Sequence, residues 1–182
     1  MRFPVVVETQ GYVLGGGCEY SMHSDAVVAS AESYIGLVEV GVGLIPGGGG
    51  TKEFALRASE DFHREGVKIP KLIERFSAIV NPTPGNGMGT SAAEAFKIGY
   101  LRKGIDQVSV NTSRTLGEAK NKVLQLARSY TKPAPKNDIY VLGRGGLGAL
   151  YVGAESFRLG NFASEHDAKI ARKIAFVLCG GD

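Results

Sequence analysis

At 182 residues, 43% hydrophobic and 21% charged, the chain can bury one substantial core, which excludes a disordered or fibrous protein. A net charge of only +3, no Trp and no interleaved basic and aromatic stretch argue against a nucleic-acid partner. Two cysteines, no apolar run near the ~20 residues of a membrane span and no signal-peptide pattern argue against a disulfide framework and a membrane partner, and fit a cytoplasmic setting.

Pro4 to Val7 is an apolar, β-branched run that predicts a buried strand ending near Gly11. A core strand so close to Met1 suggests a start placed within a longer protein. Cys18 to His23 suits a short helix, Ala26 to Ala29 a second buried strand and Tyr34 to Leu37 a third. Val38 to Gly50 holds Pro46 and six glycines, so it reads as a loop, with a helix beginning over Thr51 to Arg57.

Leu72, Ile73, Phe76, Ile79 and Val80 recur at helical spacing and predict a helix over 69–80, stopped by NPTPGNG at 81–87. Another helix fits Ser91 to Ile98, and Val108 to Val110 a brief strand. Asn111 then caps a long helix with Leu116, Ala119, Val123, Leu126, Ala127 and Tyr130 on one face. In the last helix Ser164 and Asp167 form a capping box, Ile170, Ala171, Ile174, Ala175 and Leu178 the apolar stripe, and Gly180 the stop. The reading is an α/β chain, with strands and glycine loops over 1–57 and a mainly helical region over 58–182.

Residues 91–136 carry nine Lys or Arg against three acids. That field could favour a phosphorylated ligand, although a solvated, Lys-rich helix face is the more ordinary reading.

The chemistry concentrates near the start. The 26 glycines are about twice the usual ~7%, and those at 15–17 sit between an apolar strand and a helix start. Glycine lets backbone approach a ligand closely, and the first N–H groups of a helix lack internal partners. An N–H at Gly16 could therefore stabilise a developing oxyanion, with Glu19 one turn away. Twenty residues on, Glu39 lies in GLVEVGVGLIPGGGG, where apolar walls would perturb its proton affinity. Two such carboxylates can pass two protons in tandem, one taking a proton from water and the other serving the adjacent carbon.

GYVLGGGCE followed, after a strand, by GLVEVGVGLIPGGGGT resembles the crotonase (enoyl-CoA hydratase/isomerase) family. The resemblance implies a partial spiral of ββα turns, an acyl-CoA thioester as substrate and no metal. It implies that Glu19 and Glu39 are the acid–base pair, that Gly16 gives an oxyanion-hole N–H, and that Gly15, Gly17, Gly47 and Gly48 line the substrate. Family members that only isomerise a double bond usually keep one of the two acids, so the pair favours hydration of a trans-2-enoyl-CoA in fatty-acid β-oxidation. The ending AKIARKIAFVLCGGD resembles the hydratase part of bacterial fusions with 3-hydroxyacyl-CoA dehydrogenase. That likeness implies an NAD-binding domain upstream, no cofactor in this segment, and trimeric or hexameric assembly. In the family a preceding half supplies the second oxyanion N–H, and no candidate segment precedes Pro4. Little or no turnover is therefore expected of this chain alone. The alternatives are an isomerase and a non-catalytic acyl-CoA-binding or assembly module.

GRGGLG at 143–148 follows a strand-like IYVL and imitates a dinucleotide fingerprint, with Glu165 and Asp167 at about the expected offset. Only 34 residues follow Gly148, so a tight turn between helix and strand is preferred. GGGGTK at 47–52 lacks the Lys placement of a phosphate loop. His23, His63 and His166 lack metal-ligand spacing and read as ordinary surface or cap residues.

Overall fold

The computed structural model describes residues 2–65 and 70–181. Two strands, Val6–Thr9 (β1) and Tyr12–Leu14 (β2), are followed by a helix over Gly16–Met22 (α1). The pattern then repeats: Ala26–Ser30 (β3), Tyr34–Gly36 (β4), a 3-10 turn over Glu39–Val42, and a helix over Gly50–Glu65 (α2). β1 pairs in parallel with β3, Val6 opposite Ala26, and β2 pairs in parallel with β4, Tyr12 opposite Tyr34. The chain thus coils, each turn laying one strand on each of two sheets before its helical segment.

Met88–Gly89 (β5) joins the second sheet antiparallel to β4, and Gln107–Ser109 (β6) joins the first parallel to β3. The sheet orders are β1-β3-β6 and β2-β4-β5. β3, central and paired on both sides, is buried at all five residues, which is why AVVAS reads as a continuous small-apolar run rather than an alternation. Asp106 accepts the Val27 N–H at 2.8 Å and ties β3 to the approach of β6. Gly36 lets β5 come close, because a Cβ there would stand 3.1 Å from Met88 Cα.

The remaining helices are Pro70–Val80 (α3), Ala92–Ile98 (α4), Thr115–Ala127 (α5), Gly143–Leu159 (α6) and Glu165–Leu178 (α7). A single apolar cluster runs from Cys18 and Met22 of α1 through Phe54, Phe76 and Ile79 to Ile174 and Leu178 of α7. α7 packs on α6, α2 and α3. The expected capping box is present: the Ser164 hydroxyl accepts the Asp167 N–H at 3.1 Å, and the Asp167 carboxylate accepts the Ser164 N–H at 2.9 Å. The expected stripe of α7 is buried throughout. The predicted start at Ile69 lies outside the described residues.

Other expectations shift. Asn111 caps a short 3-10 turn over Thr112–Arg114 rather than the long helix itself. α5 lies over β1 and β3 through Thr115 and Ala119, and Leu116 of its predicted apolar face is 71% exposed. Val123 and Leu126 of that face are half-buried, and Ala127 is exposed. IYVL at 139–142 is irregular, and GRGGLG forms the first turns of α6. The Tyr140 N–H donates to Ser59 Oγ at 2.7 Å and its ring stacks on Phe62, so this stretch is anchored to α2 instead of a sheet edge. No described helix is long and apolar enough to cross a membrane.

Candidate active site

Two glycine segments, at 15–17 and 47–50, meet around two acids, Glu19 and Glu39. Gly15 ends β2 with φ +56 and donates its N–H to the Gly36 carbonyl at 2.9 Å, a left-handed conformation that suits only a residue without a Cβ. Gly16 and Gly17 follow as exposed first-turn residues of α1, which no side chain caps. Their N–H groups precede the first intrahelical bond, from Glu19 N–H to the Gly15 carbonyl at 3.0 Å. A Cβ on Gly16 would meet nothing within 4 Å. The main chain here is accessible.

Glu19, on α1, is 6% exposed. Its Oε2 accepts the Gly48 N–H at 3.0 Å and its Oε1 the Gly50 N–H at 2.8 Å. Glycine is required at both donors. A Cβ on Gly48 would lie 2.2 Å from Glu19 Oε2, and one on Gly50 would lie 2.6 Å from Leu37 Cδ2. The glycine run at 47–50 is thus a main-chain clasp closed over a carboxylate.

Glu39 opens the 3-10 turn after β4. Both its carboxylate oxygens are buried without a hydrogen-bond partner. Its proton affinity is raised, first by burial and further by the Glu19 charge, against lowering contributions from nearby main-chain N–H groups. A Cβ on Gly15 would stand 3.6 Å from Glu39 Oε1, which places this acid at the glycine-opened start of α1.

The residues proposed from sequence are therefore gathered: Gly15, Gly16, Gly17 and Glu19 on one coil, Glu39 on the next, and Gly48 on the loop that follows. The Gly48 N–H is engaged by Glu19, and Gly47 beside it is exposed. Sequence reading missed Gly50, whose N–H holds the second Glu19 oxygen. It also set aside His23 and His166. His23 forms the C-cap of α1, and His166 Nε2 lies 2.9 Å from the carbonyl of Gly43, the residue that ends the Glu39 turn. Their offsets, four residues past Glu19 and at the start of the last apolar helix, were the available signals. The side chain of His63 lies outside the described part. Cys18, next to Glu19 in sequence, is a buried free thiol whose proton affinity burial pushes up, which suits packing rather than nucleophilic attack. No group of His, Cys, Asp and Glu able to hold a metal occurs among the described residues.

Two carboxylates in such different settings can divide acid and base roles. Residues 1–71 match the family described as enoyl-CoA hydratase/isomerase. Over 178 residues, 98% of the chain, the protein is 38% identical to a probable 3-hydroxyacyl-CoA dehydrogenase of Bacillus subtilis, and spans 22% of that relative's length. Over 129 residues, 68% of the chain, it is 35% identical to a putative fatty acid oxidation complex trifunctional enzyme of Rickettsia felis, and spans 16% of its length. An enoyl-CoA hydratase structure from Mycobacterium marinum superposes with a TM-score of 0.49 at 20% identity, covering 95% of this chain and 54% of that one. Residues 1–71 thus make this chain a fragment of the enoyl-CoA hydratase/isomerase, or crotonase, family.

Proposed function

We propose that the native protein adds water across the double bond of a trans-2-enoyl-CoA, giving a 3-hydroxyacyl-CoA. The observation that carries this reading is Glu39, a carboxyl group with two buried, unpartnered oxygens and a proton affinity raised by burial and by the charge of the clasped Glu19. In the proposed reaction the thioester carbonyl oxygen accepts the Gly16 N–H. Glu19 takes a proton from water as its oxygen bonds to C3. The electrons of the double bond move through C2 onto the carbonyl oxygen, and collapse of that enolate takes a proton from Glu39 onto C2. One water is consumed, and each carboxyl returns to its starting state once the two exchange a proton through solvent.

Isomerisation moves one proton between carbons of the same chain and needs only one acid–base group, so the pair favours hydration. The Bacillus and Rickettsia relatives are described by dehydrogenase and fatty-acid oxidation activities. These names support placing the hydration step in a longer, bifunctional β-oxidation protein, with NAD used by the dehydrogenase part. The test is the loss of enoyl-CoA absorbance with the full-length native protein. Product should be 3-hydroxyacyl-CoA, and the E19Q/E39Q double variant should be inactive. Full activity in that variant, or no hydration by the wild type, would reject the reading.

A further inference from the structure

His23 lies four residues after Glu19, where α1 ends. Its Nδ1 stands 2.7 Å from the Glu19 carbonyl oxygen and its Nε2 3.1 Å from Lys52 Nζ. The ring is thus held at both ends, Nδ1 on the Glu19 carbonyl and Nε2 on Lys52, with the Glu53 carboxylate 3.9 Å from Nε2. Lys52 is itself fixed to Glu53 at 3.0 Å, Glu53 to Arg57 at 3.2 Å, and Arg57 donates to the Met22 carbonyl at 2.6 Å. This chain of contacts returns to α1 one residue before the histidine.

The ring so fixed abuts Gly49. A Cβ there would lie 2.9 Å from both Cε1 and Nε2 of His23, and Gly49 has φ +104, open in practice only to glycine. The residues on either side, Gly48 and Gly50, are the two donors to the Glu19 carboxylate. Because the ring leaves no room for even a methyl group at Gly49, it bounds the loop on that side, and hence where both flanking N–H groups meet Glu19.

We infer that His23 is a positioning residue for Glu19: it seats Gly49 so that the Gly48 and Gly50 N–H groups aim the carboxylate. The inference rests on the hydratase reading of Glu19. His23 bonds to the carbonyl of Glu19 and to Lys52, not to either carboxylate. A helix cap alone would affect folding and leave turnover intact; positioning would affect kcat while KM stays nearly constant.

Steady-state hydration by the full-length protein separates the two through H23A, H23N and H23F, with E19Q as reference. H23N keeps a donor for the Glu19 carbonyl and removes the ring; H23F keeps a ring against Gly49 and removes the donor. Positioning predicts that H23A lowers kcat about tenfold with KM within about twofold. It predicts that H23F recovers more kcat than H23N, and that H23N recovers more thermal stability than H23F. Wild-type kcat in H23A, or kcat in H23N equal to or above that in H23F, would overturn the inference. If H23A does not fold, the H23N and H23F comparison still decides. Retained activity in E19Q would instead reject the underlying reading of Glu19.

Discussion

Both carboxylate oxygens of Glu19 are met by main-chain donors and both of Glu39 by none, although Glu39 lies near enough for the Glu19 charge to raise its proton affinity. Desolvation favours the neutral acid over the opposing pull of nearby main-chain N–H groups, and a neighbouring negative charge adds to that. In the proposed reaction this suits Glu39 to give a proton, while the clasp fixes the angle of Glu19.

Glu39→Gln should reduce kcat by about 10²-fold or more and remove the alkaline limb of the kcat/KM profile. Its stability effect has the opposite sign. A carboxyl whose proton affinity is raised by folding stabilises the fold fully below its unfolded pKa, and loses that contribution as pH rises through the folded value. The variant should therefore gain Tm over wild type at pH 7 to 8 and gain little near pH 4, which thermal melts across pH would read.

Gly48→Ala would bring a methyl into the space of Glu19 Oε2. Either the loop or the carboxylate must move. Displacement of about 1 Å should cost roughly 10²-fold in kcat, with circular dichroism unchanged.

Glu53 and Arg57 form a buried pair, and Arg57 also donates to the Met22, Gly99 and Tyr100 carbonyls, joining α1, α2 and the end of α4. Burial alone would raise the proton affinity of Glu53, but Arg57 and Lys52 more than offset it and hold it low. Its contribution is present above the unfolded pKa and lost as pH falls through the depressed folded value. Glu53→Ala leaves a buried guanidinium short of its partner and should destabilise by about 3 kcal/mol, measured by urea unfolding at neutral pH.

Ser164→Ala removes the reciprocal cap of α7. The expected loss is about 1 kcal/mol, or a fall of roughly 2 to 4 °C in Tm.

The parts legible in the sequence were those whose signal is local. β3 and α7 were read from apolar runs and the capping residues, and the two acids from the glycines beside them. The clasp on Glu19 was not legible in its roles, because a glycine N–H has no side chain to announce what it binds. Gly48 was assigned to substrate and Gly50 to nothing, while both face a carboxylate some thirty residues earlier. β5 is two residues long and exists only because Gly36 admits it. The predicted face of α5 holds only in part, with Ala119 buried, Val123 and Leu126 half-buried, and Leu116 and Ala127 exposed, because periodicity reports what could be buried and not how much of it the sheet covers.

Val6 faces Ala26 across the first sheet, an offset of twenty residues, and Glu39 follows Glu19 by the same number. On the second sheet Tyr12 faces Tyr34, an offset of twenty-two, so the interval between the acids is close to one turn of the coil and strand pairing sets it to within a residue or two. One residue inserted within β3, which is buried on both faces, would exchange the side chains of those faces, and one added to the bend before β4 would change the interval between the acids. The spacing of the pair is thus constrained by the sheets well before any substrate tests it.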